Sequence, residues 1–275
     1  MGDILIGTSG FSYDDWRGFF YPKDMKKTEM LAYYARKFRA VEINSSYYGI
    51  PPPTTFERMA EKTPAGFRFA VKANKDITHS PHVDLAIFRQ FMEAVQPLVD
   101  AGKLGCLLAQ YPWSFKRNET NAVRVRQLRD EFGDLPLVVE FRNYTWASEE
   151  TFALLKDLRI GYCCVDEPRL RGLMPSMAMA TSSVAYVRFH GRNAEKWFEH
   201  EEAWQRYDYL YPRDELEEWI PKVKRLASKA EETYLFFNNH YQGKAAQNAQ
   251  EFARMLDVPL PVDPDLDPGI LKLKP

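Results

Sequence analysis

Val184-Ala185-Tyr186-Val187-Arg188-Phe189 runs straight into His190-Gly191-Arg192, so a strand-forming stretch stops abruptly in a cluster of charge. Seven other segments repeat this design. Ile4–Gly7 runs into Thr8-Ser9, Ala40–Ile43 into Asn44-Ser45, Phe67–Val71 into Lys72 and Asn74, and Leu104–Ala109 into Gln110. Leu137–Val139 runs into Glu140-Phe141-Arg142, Gly161–Val165 into Asp166-Glu167, and Tyr234–Phe237 into Asn238-Asn239-His240. A strand covered on both faces reads as a continuous apolar run, and parallel strands need helical crossovers. Eight such runs with helix-sized spacers predict an α/β chain folded as one (β/α)₈ TIM barrel, whose chemistry gathers at the C-terminal ends of the strands. The polar clusters stand at those ends.

Length and composition agree. A chain of 275 residues with 45% hydrophobic content can fill one large core, and nothing inside it reads as a linker, so residues 1–275 are expected to form a single domain. The net charge of −1 argues against a globally basic nucleic-acid binder, although a local basic cleft would not show in the sum. Cys106, Cys163 and Cys164 all fall inside predicted strands, with neither a CxxC nor an even framework, which reads as buried free thiols. MGDILIGTSG lacks the basic region and long apolar stretch of a signal peptide, and no run reaches membrane-spanning length. The expectation is a cytoplasmic protein with no membrane association.

Amphipathic spacing predicts helices at Thr28–Arg39, Leu85–Val99, Ala122–Phe132, Ser148–Leu158, Asp214–Lys229 and Lys244–Leu256. Thr28 reads as the N-cap of the first, and Ser148 followed by two glutamates opens the fourth. Pro168–Ser183 has no helical period, so one crossover should be irregular. Asn193–Tyr211, with Trp197, Phe198, Trp204, Tyr207, Tyr209 and Tyr211, is an insertion after strand seven that should lie over the C-terminal face. It reads either as space-filling structure or as a lid. The Pro-rich extension at 257–275 is expected to wrap the outside.

Side chains two apart on a strand share a face. Parity therefore groups Glu42 with Asn44, Lys72 with Asn74, Glu140 with Arg142, and Arg188 with His190 and Arg192. With Asp166 added, these sets predict one cavity holding Glu42, Lys72, Glu140, Arg142, Asp166, Arg188 and His190. Burying so many charges is costly where barrels normally place Val, Ile and Leu, which favours a ligand site over a purely structural network. The carboxylates with His190 and His240 would suit a hard divalent metal such as Mn²⁺, Mg²⁺ or Zn²⁺. His79-Ser80-Pro81-His82, broken by proline, cannot place both rings on one helical face. The neighbouring Lys72, Arg142, Arg188 and Arg192 favour an anion instead. Asn238–Lys244, a glycine-bearing turn entering a helix, resembles a phosphate cradle. No Walker loop, GxGxxG or GxSxG elbow is present.

Several of these stretches also resemble the DUF72 (YecE-like) family. The resemblance is carried by Gly7–Tyr13 with Trp16 and Tyr21-Pro22, by Val41–Tyr48, and by Phe67–Lys72 with Thr78-His79. It continues in Glu140–Arg142 with Trp146, Arg188–Gly191, and Phe237–His240 with Gly243, Ala246 and Asn248-Ala249. It covers about residues 4 to 256 in order, implies a TIM barrel, and supplies no agreed activity. The chain departs from the pattern at Phe11, where tryptophan is usual, at Asn143, where histidine is common, and at Tyr111-Pro112-Trp113, which replaces a Leu-Pro-Pro type turn.

The functional expectation is an enzyme that takes an anionic, phosphate-bearing substrate at the barrel mouth, with phosphoester hydrolysis on a nucleotide or nucleic acid the reaction to test. Glu42, Glu140, Asp166 and His190 are the candidate acid–base groups. Lys72, Asn74, Arg142, Arg188, Asn238, Asn239 and His240 are the candidate binding groups. The alternative is a non-catalytic module that binds or senses a small anionic metabolite through the same pocket.

Overall fold

The computed structural model describes residues 2–81 and 83–261. His82 and residues 262–275, most of the Pro-rich extension, lie outside the described residues.

Each of the eight apolar runs is a strand. β1 (Asp3–Thr8) leads through α1 (Lys27–Ala35) to β2 (Ala40–Ile43), and α2 (Ser45–Tyr48) and α3 (Pro53–Glu61) lead to β3 (Arg68–Lys72). Next come α4 (Lys75–Thr78), α5 (Leu85–Asp100), β4 (Leu104–Gln110), α6 (Glu119–Phe132), β5 (Leu137–Glu140), α7 (Glu149–Asp157) and β6 (Gly161–Asp166). The irregular segment at 167–183, with no helix, connects to β7 (Val184–Phe189). α8 (Arg213–Glu217), α9 (Ile220–Ala227), β8 (Glu232–Phe237) and α10 (Lys244–Met255) complete the order.

All ladders are parallel, and the strands follow one another as β1-β8-β7-β6-β5-β4-β3-β2. At the remaining seam, between β1 and β2, a single bridge pairs Ser9 with Glu42, and the Gly10 N–H donates to the Glu42 carbonyl at 2.7 Å. The result is a nearly closed TIM-like barrel. β2 and β5 through β7 are buried along their whole length, as their unbroken apolar runs require.

Helix starts follow their caps. Asp84 accepts from Ala86 N to open α5, and Ser148 accepts from Thr151 N to open α7. α6 begins one turn earlier than its apolar period, because Asn118 caps Asn121 N. α1 opens at Lys27 rather than after a Thr28 cap, and it ends at Ala35. The predicted Asp214–Lys229 helix is two helices, broken at Trp219 just ahead of Pro221, which occupies the first turn of α9 where no N–H is needed. α2 and α3 form a crossover that carries no long periodic pattern. The three cysteines are free and buried. Among the described residues, no helix is long and apolar enough to cross a membrane.

Candidate functional site

At the C-terminal mouth, β2, β5 and β7 aim charge at one another. Arg188 on β7 is buried, and its guanidinium spans two carboxylates: Nη2 lies 2.7 Å from Glu42 Oε1, and Nη1 lies 2.6 Å from Glu140 Oε2. Glu42 also accepts from the Tyr186 hydroxyl at 2.6 Å and from Asn44 Nδ2 at 3.0 Å. Glu140 meets Arg142 Nε at 2.5 Å and His190 Nε2 at 3.2 Å. Burial alone would raise the Glu140 pKa, but Arg142 and Arg188 hold it well below the usual carboxylate range. Both glutamates therefore serve as counter-charges for arginine, and a carboxylate whose oxygens are already taken by guanidinium is a poor general base.

His190 is sealed from solvent. Asn238 Nδ2 lies 3.0 Å from its Nδ1, so Nδ1 accepts and the Nε2 proton points at Glu140. Burial and the Arg142 charge push its pKa down to about 3, so the ring is neutral. It orients Glu140 and does not line the cavity.

Above this network lies a cavity of about 280 Å³, walled by Tyr13, Asn44, Tyr47, Lys72, Arg142, Arg188, Tyr207, Asn238 and His240, among others. Every charged side chain on its wall is basic. Lys72, at the end of β3, donates to Gln110 Oε1 at 2.8 Å, and its Nζ sits 4.1 Å from the Tyr47 ring centre. Both partners are neutral. Burial, with repulsion from Arg188, lowers its pKa from 10.5 to about 7. His240 stacks flat on Tyr13 with ring centres 4.7 Å apart, and burial lowers its pKa. His240 Nδ1 and Asn44 Oδ1 are buried without a hydrogen-bond partner, two polar atoms on the cavity wall that a ligand could satisfy.

The insertion after β7 covers this mouth with its first part. Trp197 is buried with its ring 6.4 Å from His190, Trp204 stacks on Tyr241 at 4.1 Å, and Tyr207 lies 5.5 Å from His240 on the cavity wall. Phe198 is exposed. Tyr209 and Tyr211 turn away: the Tyr209 hydroxyl donates to Glu215, and the Tyr211 hydroxyl donates to Asp166 Oδ1 at 2.8 Å.

Four residues expected at the mouth are elsewhere. Asp166 lies on the outer face of β6, where it takes both Arg192 and Tyr211 and accepts from Trp219 Nε1 at 2.7 Å. Arg192 follows it outward, because Gly191, at φ +89°, breaks the strand alternation after His190. The inward carboxylate is Glu167, whose Oε2 lies 3.4 Å from Arg142 Nη1. Asn74 caps α4 through Asp76 N and donates to the Ser46 carbonyl, and Asn239 ties the Tyr209 carbonyl to Asn248. The expected metal set is dispersed for the same reasons. Among the described residues no three His, Cys, Asp or Glu side chains cluster to hold an ion, since two glutamates are taken by Arg188 and Asp166 faces outward.

Sequence reading did not assign Tyr186, Tyr13, Gln110 or Glu167 to the site, whereas Tyr207 lay in the insertion expected over the mouth. Parity could have found Tyr186, which shares the inward face with Arg188. It could also have chosen Glu167 over Asp166, because Cys164 and Asp166 share the outer face, where Cys164 Sγ takes the Met179 N–H.

Comparison with known proteins agrees with this architecture. The family model described as "Protein of unknown function DUF72" matches residues 5–267. The UPF0759 protein YunF of Bacillus subtilis is 30% identical over 271 residues, covering 93% of this chain and 95% of YunF. YecE of Escherichia coli K12 matches over 93 residues at 33% identity, about a third of each chain. A DUF72 family protein of Thermotoga maritima superposes with a TM-score of 0.86 at 41% identity, over 93% of this chain and 99% of that one. One from Enterococcus faecalis gives 0.84 at 28%, over 96% and 100%. The chain belongs to the DUF72 (UPF0759) family.

Proposed function

We propose that this protein is an enzyme that binds a small phosphate-bearing substrate in the mouth of the barrel and hydrolyses its phosphoester. The observation that carries the reading is the composition of the cavity wall: Lys72, Arg142, Arg188 and His240, with no carboxylate. Arg188 is neutralised from beneath by Glu42 and Glu140, and Arg142 by Glu140 and Glu167, so Lys72, whose partners are neutral, is the cation left to hold an anion, with Arg142 beside it to donate a further hydrogen bond. Asn44 Oδ1 would accept from a substrate hydroxyl, and the ring faces of Tyr13, Tyr47 and Tyr207 would border its body. A volume of about 280 Å³ suits a sugar phosphate or part of a nucleotide better than a nucleic-acid duplex.

Catalysis falls to other groups than the glutamates first expected. Lys72, poised near neutrality, and His240, neutral on the wall, are the groups able to move a proton to or from an attacking water or a leaving oxygen. The locking of both glutamates by arginine favours the second reading, a non-catalytic module that binds the same anion.

The test has two parts. Inorganic phosphate should raise the wild-type melting temperature, since a ligand that binds only the folded state stabilises it, and Lys72→Ala and Arg142→Ala should abolish the rise. p-Nitrophenyl phosphate and bis(p-nitrophenyl) phosphate should be turned over by wild type and not by Lys72→Ala. A phosphate shift without turnover across phosphoesters leaves the binding module, and no shift at all refutes both readings.

A further inference from the structure

The β6–β7 crossover contains Pro168, Pro175 and the positive-φ Gly172, and it forms no helix. The outer layer of the barrel is therefore missing one helix between α7 and α9. In that gap lies a cavity of about 890 Å³, the size of a site for a drug-sized molecule and separate from the mouth. Its body is apolar, formed by Leu170, Leu173 and Met174, and its rim carries Arg169, Arg171 and Lys222. Arg171 is exposed, and no ion-pair partner is matched to it among the described residues. Arg169 only reaches Glu218 at 3.7 Å, and Lys222 is held by Ser176, Nζ to Oγ 2.9 Å. The single carboxylate on the wall, Glu167, is buried, and its oxygens are taken by Met174 N and Arg142, so it does not offset the rim.

We propose that this cavity is a second binding site, for an amphipathic anion: a single alkyl or acyl chain lying against Leu170, Leu173 and Met174, with its carboxylate or phosphate head between Arg171, Arg169 and Lys222. An apolar trough closed by an unbalanced basic rim complements that chemistry, and neither a purely apolar nor a purely ionic ligand satisfies both halves. The proposal is independent of the reading of the barrel mouth.

The chain also supplies a reporter. Trp113 Nε1 donates to the Gly172 carbonyl at 3.0 Å, so an occupant that shifts the crossover should change the emission of this half-exposed indole. The intact protein is titrated with sodium decanoate below its micelle concentration and with decyl phosphate, beside acetate, inorganic phosphate and decanol. Saturable one-to-one binding of the decyl anions is expected, tightening roughly fourfold per methylene from octanoate upward. Acetate and phosphate should leave Trp113 silent, and decanol should bind at least tenfold more weakly. Preference between decanoate and decyl phosphate identifies the head group.

Arg169→Glu/Arg171→Glu, both on exposed positions, should weaken decanoate at least tenfold while the circular dichroism spectrum and melting temperature hold. Lys72→Ala should bind decanoate as wild type does. The proposal is overturned if decanoate fails to saturate, if the charge-reversed variant binds equally well, or if Lys72→Ala abolishes binding, which would place the anion in the mouth.

Discussion

Lys72 is the residue whose charge depends most on its surroundings. Its ordinary pKa of 10.5 falls to about 7 because burial and Arg188 both disfavour the ammonium form. The cation is therefore present below pH 7 and lost above it. Sulfate, whose charge is constant across this range, should bind wild type progressively more weakly from pH 6 to 8.5, by up to tenfold per unit. Lys72→Arg, which stays charged, should bind with little pH dependence, and calorimetric titration at three pH values separates the two. Stability moves the other way. The folded state carries the cost of a buried ammonium below pH 7, and that cost is relieved as pH rises from 7 toward 10.5. Wild type should thus gain on Lys72→Met over that window, as denaturant unfolding at pH 7 and pH 9.5 would reveal. Arg188 behaves differently. Arg188→Ala strands Glu42 and Glu140 in the interior and should cost roughly 3–5 kcal/mol, measured by urea unfolding. Strand parity made the convergence of Glu42, Glu140 and Arg188 legible in the sequence. It could not say that these charges would cancel one another, because that depends on ångström-scale reach across the barrel.

Periodicity served the elements well where it was long. α5 and α10 lie almost where their apolar stripes put them, while α2 was missed because four residues cannot repeat a stripe, and α3 because it buries only Phe56 and Ala60 directly behind a run of prolines. The insertion after β7 was legible as an aromatic segment over the mouth, but not as two parts with different partners. What divides it is Asn248 on α10, a residue that the family resemblance includes but for which no local pattern names a partner. Its Oδ1 accepts from Tyr211 N at 3.0 Å and from Asn239 Nδ2 at 2.9 Å, and its Nδ2 donates to the Tyr211 carbonyl at 3.0 Å. These bonds pin the end of the insertion to the outer helix and leave Trp197, Trp204 and Tyr207 to face the mouth. Asn248→Leu keeps the bulk and orphans the Tyr211 backbone, which should cost roughly 1–3 kcal/mol. Hydrogen exchange should rise through 193–211 while β3 to β5 stay protected. Uniform deprotection would mean that the insertion is not held at this point.

For the whole molecule, the hardest requirement is closure. Eight apolar runs announce a barrel, but no run says how the two edges of the sheet, β1 and β2, meet. Here β1 and β2 share one bridge in place of a ladder, and two residues make their approach possible. Gly7 is one: a Cβ there would sit 2.0 Å from the Ala40 carbonyl oxygen. Tyr34 of α1 is the other. Its buried hydroxyl accepts from Thr8 N at 2.8 Å and donates to the Ala40 carbonyl at 3.1 Å, so a side chain spans the gap that a ladder would fill. The same seam carries Glu42, whose carbonyl takes the Gly10 N–H, so barrel closure and the charge network of the mouth share one edge. Tyr34→Phe keeps the ring against Phe20 and Phe38 and removes only the bridge. It leaves Thr8 N–H and the Ala40 carbonyl buried without that partner, which should cost roughly 1–3 kcal/mol. Because the loss is local, amide exchange should quicken at Thr8, Ser9 and Gly10 and along β2, with β5 to β7 unchanged. Gly7→Ala, which forces the backbones apart, should produce the same pattern with a larger loss of stability. Equal quickening in all eight strands would show that the seam is no weaker than the ladders, and that Tyr34 contributes only as part of the core.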